Sequence, residues 1–270
     1  MNEQLQLLVQ LQDIDNMIKE FTEGGERREE ELGFRSAFNF VTHKYRVDAG
    51  LIKDLWRRGF EIGVHGYSHD GRLFTSFKLF RERIKKVKEK AYVWGACGFR
   101  SPATHRNWEW MKEMDFLYDS SYSNVAHFEP QKGGVCTVFP YFIGRMVELP
   151  ITLPQDIVVF GLFGMKDCKL WMEVSKQILR YRGMILIVTH PDAKKGYTGY
   201  KDYVSIYRDF LLWLKEQTNL WYALPREVAL WWNKRRLSCV DKNKIKGPAR
   251  GVGCVERVIV KGHGVRWVKQ

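Results

Sequence analysis

No stretch of this 270-residue chain is apolar for long enough to cross a bilayer, which takes about 20 such residues in a row. None of the five cysteines (Cys97, Cys136, Cys168, Cys239, Cys254) belongs to a Cys-x-x-Cys pair. A ribbon-type zinc site is therefore excluded, and the thiols are expected to be reduced and structurally minor. The opening residues, Met1-Asn2-Glu3-Gln4, lack the basic-then-apolar layout of a secretory signal. The expectation is a cytoplasmic protein without a membrane span. No internal repeat is detectable. What is present is a globular composition, 45% hydrophobic and 14% aromatic. So many Trp, Tyr and Phe residues fit a deep core, a groove that stacks on flat ligands, or both.

Acidic residues are scarce at one end. The formal net charge is +13, and residues 233–270 carry eleven Lys/Arg against only Asp241 and Glu256. The basic balance thus describes mainly an appendage and says little about what the remaining residues bind.

Hydrophobic periodicity divides the chain into three parts: an N-terminal segment 1–31, a central domain 32–235 and a basic tail 236–270. In the first, Leu7, Leu11, Ile14, Ile18 and Phe21 recur at helical spacing, with Gly24-Gly25 after them. That stripe predicts an amphipathic helix. In the second, strands are expected at 34–41, 60–64, 97–101, 116–120, 184–189 and 221–224, alternating with helices at 48–58, 77–94, 107–114, 167–182, 202–216 and 226–235. Pro225 suits the first turn of the last helix. This alternation predicts parallel βα units, in a barrel or an open sheet. Residues 121–166 are broken by Gly133-Gly134 and three Pro steps, and read as loops with one or two strands. In the tail, a β-hairpin is expected around Gly262-His263-Gly264. Its Lys and Arg residues, interleaved with Trp267, fit either a solvated extension or a nucleic-acid contact.

Three groups of functional residues fall where predicted strands end. His65 and His69 follow the strand 60–64 within Phe60-Glu-Ile-Gly-Val-His-Gly-Tyr-Ser-His-Asp70. If one helical turn forms there, both imidazoles share a face and can grip one metal ion. Without it, they are two surface histidines flanking a turn. Arg100 ends another strand in Gly98-Phe-Arg-Ser-Pro102, and His190 follows the apolar run Met184–Thr189. Singly, Arg100 fits a structural ion pair and His190 a capped loop residue. In parallel α/β folds, however, the C-terminal strand ends form one rim where catalytic groups collect.

The ordered set His65-Gly-Tyr-Ser-His69, Phe99-Arg-Ser-Pro102 and Leu186-Ile-Val-Thr-His190 resembles the motifs of the polysaccharide deacetylase family, the NodB-homology group of carbohydrate esterases. The resemblance spans about residues 33–232. It implies a distorted (β/α) barrel and hydrolysis of an acetyl group from an N-acetylated sugar or glycan precursor. It further implies a divalent metal, zinc or else cobalt or nickel, held by His65, His69 and a carboxylate. By the same mapping, a second carboxylate serves as general base and His190 as general acid, with Arg100 orienting the base. The family's first motif, a strand ending in Thr-Phe-Asp-Asp or Asp-x-Asp, is not spelt plainly in this chain. The candidates for its base and ligand are Asp13 and Asp15 in Leu11-Gln-Asp-Ile-Asp15, and the helical stripe through the same residues opposes them. If they do not serve, the barrel is incomplete at its first strand. Two alternatives follow: an inactive remnant that retains a sugar groove, and a related barrel amidohydrolase cleaving another non-peptide C–N bond.

Overall fold

The computed structural model describes residues 6–14, 29–124, 133–190, 203–218, 220–253, 255–261 and 264–269; for 6–14, 256–261 and 264–269 it describes the backbone alone. Nine strands form one sheet: β1 (Gln6–Ile14), β2 (Ala37–Phe40), β3 (Glu61–Val64), β4 (Gly98–Phe99), β5 (Tyr118–Asp119), β6 (Tyr141–Ile143), β7 (Met146–Glu148), β8 (Met184–Thr189) and β9 (Leu220–Tyr222). Their order is β6-β7-β5-β4-β3-β2-β1-β8, with β9 also on β1. Every pairing is parallel except the β6–β7 hairpin.

The two ends of this order meet. Beyond β7, the Thr152 and Leu153 N–H groups donate to the Leu186 carbonyl of β8 at 3.3 and 3.1 Å, and the Thr152 hydroxyl donates to the Met184 carbonyl at 2.9 Å. The sheet is therefore wrapped into a distorted barrel, whose β7–β8 seam is made by residues just past a strand. Alternation sets its two faces. Ala37, Tyr118, Val147, Leu149, Met184, Leu186 and Val188 form the inner cluster. The residues between them face outward: Phe38, Phe40, Ile62, Val64 and Phe99 in one cluster, Ile185 and Ile187 in another.

Helices cover those outer faces. α1 (Ala49–Arg57) starts at Asp48, whose carboxylate accepts from the Gly50 N–H. α2 (Phe77–Trp94) runs from Ser76 to Gly95, a left-handed C-terminal stop at φ 70°. Ile52, Leu55, Phe80, Ile84, Val87 and Trp94 of these two helices pack over β2–β4. A short α3 (Trp108–Met111) follows β4. α4 (Lys169–Arg180) and α5 (Tyr203–Glu216) cover β8 with Trp171, Ile178, Ile206, Phe210 and Leu214. α6 (Pro225–Arg236) adds Val228 and Ala229 to the inner cluster, and its Arg226 N–H reaches Glu61 at the first residue of β3. It therefore closes the N-terminal end of the barrel. None of the helices among the described residues is long and apolar enough to cross a membrane.

The helix expected from the stripe Leu7–Phe21 is corrected over residues 6–14, which form β1 between β2 and β8. Leu5, Leu7, Val9 and Leu11 alternate with Gln4, Gln6, Gln10 and Gln12, so the segment also carries a period of two. Backbone pairing on both edges outweighs the helix propensity of Gln and Leu, a preference that tertiary context readily overrides. The barrel thus has its first strand. A π-helical stretch Ile157–Leu162 and the hairpin β10 (Cys239–Asp241) with β11 (Lys244–Lys246) have no counterpart in the sequence reading. At the end of the chain, β12 (Glu256–Lys261) and β13 (Gly264–Lys269) pair antiparallel.

Candidate active site

The last residues of β1–β5 and β7 align in two tiers. Asp13, Asn39, Gly63, Gly98, Tyr118 and Val147 lie level across the sheet, and Ile14, Phe40, Val64, Phe99, Asp119 and Glu148 form the next tier. His65 and Arg100 are the residues directly after Val64 and Phe99. The sheet can curl tightly here because two inner positions have no side chain. A Cβ on Gly63 would stand 2.0 Å from Asn39 Oδ1, and one on Gly98 would stand 1.9 Å from the Tyr118 ring.

His65 is buried and its Nδ1 lies 3.1 Å from the Arg100 carbonyl. A carbonyl oxygen only accepts, so Nδ1 carries the proton and the lone pair is on Nε2, the arrangement that prepares an imidazole for a metal. The His69 ring lies 5.3 Å from the His65 ring, centroid to centroid. The two come together without the helical turn expected from their spacing. Residues 65–72 contain no helix; Gly66, His69 and Gly71 take φ values of 63°, 54° and 70°. A left-handed non-glycine residue costs on the order of 1 kcal/mol, and such strain concentrates at functional sites. The turn is held from both sides. A Cβ at Gly66 would meet the Pro102 ring at 2.6 Å, and Asp70 makes a two-pronged ion pair with Arg83, 2.7 Å for each bond. The Arg83 hydrogen bond holds the Asp70 carboxyl well below its usual range.

Arg100 is buried after β4, with Nη1 donating to the Ser120 carbonyl at 2.8 Å and Nη2 to Gln155 Oε1 at 3.2 Å. The residue after Gln155 is Asp156, fully buried, whose carboxylate accepts from His190 twice: Oδ2 from the backbone N–H at 2.8 Å and Oδ1 from Nδ1 at 2.6 Å. A carboxylate on Nδ1 leaves Nε2 as the proton-exchanging nitrogen, the layout of an oriented acid–base histidine. Residues 155–156 therefore join Arg100 to His190, as the Arg100 carbonyl joins His65 to Arg100.

The residues foreseen from sequence are thus partly assembled. His65, His69, Arg100 and His190 stand at or just after the strand ends. Asp13 lies in β1, level with Asn39, while Asp15 falls outside the described residues. Among the described residues no group of three or more His, Cys, Asp or Glu side chains gathers as a metal site. Sequence reasoning missed Gln155 and Asp156, which lie in the Pro-broken stretch 121–166 where no periodicity points to them. It also missed a buried carboxyl pair, Asp119 and Glu148, opposite one another on β5 and β7. Burial, then the neighbouring Asp119 charge, pushes the Glu148 carboxyl well above its ordinary range.

The donor set fits a divalent cation of intermediate softness: two imidazoles on one turn, one of them with its tautomer fixed for ligation. No family model matches the chain, and no curated protein matches it in sequence. Solved structures do match its shape. One is a Mycobacterium smegmatis protein carrying the name polysaccharide deacetylase, 18% identical, with a TM-score of 0.65 over 90% of this chain and 95% of that one. The Bc1960 peptidoglycan N-acetylglucosamine deacetylase matches at 13% identity and TM-score 0.56, covering 83% and 88% of the two chains. The Puue allantoinase matches at 14% identity and TM-score 0.60, covering 86% and 91%.

Proposed function

We propose that this chain, which has the fold of the polysaccharide deacetylases, is a metal-dependent hydrolase that removes the acetyl group from an N-acetylated sugar or glycan precursor. The observation that carries the reading is the chain of contacts from His69 through His65, Arg100 and Gln155–Asp156 to His190 along one barrel rim. Two imidazoles stand at one side of that rim and an oriented histidine–carboxylate pair at another.

In this reading His65 and His69 hold the cation, zinc first and cobalt or nickel as substitutes. The chemistry supplied by a bound cation is polarisation of the acyl oxygen and a lowered pKa for water. Asp13 and Asp15 supply the general base and the third ligand. Asp15 directly follows Ile14, as His65 follows Val64 and Arg100 follows Phe99, and those three preceding residues share one tier. His190 gives a proton to the departing amine, and Asp156 holds its ring and stabilises its charged form. Arg100 fixes the loop that carries the carbonyl against His65.

The test is acetate release from N-acetylated sugars by protein loaded with zinc, cobalt or nickel. Wild type should turn over and His65→Ala should not; equal inactivity of two folded proteins would sink the deacetylase. The match to an allantoinase supports a second reading, hydrolysis of a ureide C–N bond by the same groups. Turnover of a ureide without acetate release would favour it. Carbohydrate binding without any turnover would favour an inactive remnant.

A further inference from the structure

We propose that Asp119 and Glu148 are a positioning pair for His65, acting through Ser121 and Ser101 on the Arg100 carbonyl. The proposal rests on the reading of His65 as a metal ligand. The two carboxyl groups lie on adjacent parallel strands at opposed register positions, on the outward side of the barrel, and both are wholly buried. Glu148 Oε1 accepts the Ser121 and Tyr122 N–H groups at 3.1 and 3.0 Å. Asp119 Oδ1 accepts the Ser121 hydroxyl at 2.6 Å, and the oxygen of that hydroxyl accepts the Ser101 N–H at 2.8 Å. Ser101 is bonded directly to Arg100, whose carbonyl oxygen receives the His65 Nδ1 proton. One hydroxyl thus ties the carboxyl pair to the peptide that fixes the tautomer of His65.

The pair needs a proton of its own. Asp119 Oδ2 and Glu148 Oε2 are buried and, among the described residues, have no other hydrogen-bond partner. Two ionised carboxylates in such a place would repel each other without water to screen them. Burial raises both groups, and one proton held between them removes that repulsion. Arg100 acts on Asp119, and Tyr122 and Tyr141 feel both carboxyl groups, with Arg106 acting on those two tyrosines. The Ser121 hydroxyl donates its one proton to Asp119 and so keeps its oxygen for Ser101. His190 serves as a comparison, because its Nδ1 is held by the Asp156 carboxylate and not by the Arg100 carbonyl.

The experiment is nitrogen-15 NMR of histidine-labelled, metal-free protein, paired with zinc titration. In wild type, His65 should show the Nδ1-protonated tautomer. Ser121→Ala and Asp119→Ala should each scramble that signature, move the His190 signals far less and weaken zinc binding about 10- to 100-fold. Glu148→Gln, which supplies a permanent donor to Asp119 and keeps an acceptor for the two N–H groups, should match wild type in both readouts. An unchanged His65 tautomer in folded Ser121→Ala, an equal shift of His190, or a loss in Glu148→Gln as large as in Asp119→Ala would each overturn the proposal. Wild type that shows the tautomer dependence but binds no zinc would instead refute the proposed function and leave the positioning pair standing.

Discussion

At the C-terminal end of the barrel, His65, Arg100 and His190 are buried, yet each is hydrogen-bonded to a neighbour from another strand's loop. At the N-terminal end, Glu61 is as deeply buried, but what surrounds it is Cys97, Tyr118 and the first turn of α6, with the Arg226 N–H donating at 3.0 Å. The first arrangement links side chains so that the proton-bearing nitrogen of each imidazole is fixed. The second lodges a carboxyl where burial raises it to about 7 and pushes the Cys97 thiol up to about 12. Both ends bury ionisable groups at an energetic cost. The rim sets protonation sites for chemistry, while the base ties a helix across the barrel.

The sharpest way to break this contrast is at His190. Asp156→Asn keeps a polar group beside His190 Nδ1 but removes the charge that stabilises the imidazolium. Loss of an oriented acid costs about 10²- to 10⁴-fold in rate. His190→Ala should lose that much turnover, Asp156→Asn less, and neither should shift the midpoint of urea unfolding as far as a change at the base. A midpoint shift with unchanged turnover would reverse the assignment of the two ends.

Next in size is Gly98→Ala. Its new methyl group would meet the buried Tyr118 ring at 1.9 Å, and Tyr118 is pinned between Glu61 and the inner cluster. Overpacking of this kind costs about 1–3 kcal/mol. Urea unfolding should show that loss, with Gly63→Ala comparable unless Asn39 swings away.

Glu61 supplies a pH test. Its carboxyl is raised from an ordinary 4.5 to about 7, so the folded chain holds a proton that the unfolded chain releases. Stability from this group is complete below about pH 4.5 and is lost as the pH climbs through about 7. The full swing is roughly 3 kcal/mol at 1.36 kcal/mol per unit. Wild type minus Glu61→Gln, measured by urea unfolding at pH 5 and pH 8, should therefore become less favourable at the higher pH. A flat difference would show that Glu61 is ionised throughout and belongs with the rim's wired groups.

The same contrast explains what could be read from the sequence. Strand β8 is legible because six consecutive buried residues leave one interpretation, and α2 because Phe80, Ile84, Val87, Ala91 and Trp94 hold one helical face between Ser76 and Gly95. His65, Arg100 and His190 are legible as residues that follow apolar runs. β1 is not, since Leu7, Leu11 and Ile14 satisfy a helical period while Leu7, Val9 and Leu11 satisfy a strand's, and only pairing with β2 and β8 decides. Nor is Asp156, which reaches His190 across 34 residues of chain with no local pattern. Strand ends carry a sequence signature; the partners that orient them come from loops that carry none.

The smallest expected effect lies at the rim's edge, where Asp70 and Arg83 clasp the turn bearing His69. Both groups are partly exposed, so solvent screens the pair and its contribution to stability stays below about 1 kcal/mol. Its sign is opposite to that of Glu61. Arg83 lowers the Asp70 carboxyl, so the stabilisation is present above the ordinary carboxylate range and fades as the pH falls below it. Asp70→Asn should be slightly less stable than wild type at pH 7, and the difference should shrink as the medium is made strongly acidic. The clasp also holds a left-handed His69, so zinc affinity should fall several-fold in Asp70→Asn while stability barely moves. A stability loss larger than the affinity loss would mean that Asp70 serves the fold rather than the turn, and the boundary between the two ends of the barrel would have to be redrawn around it.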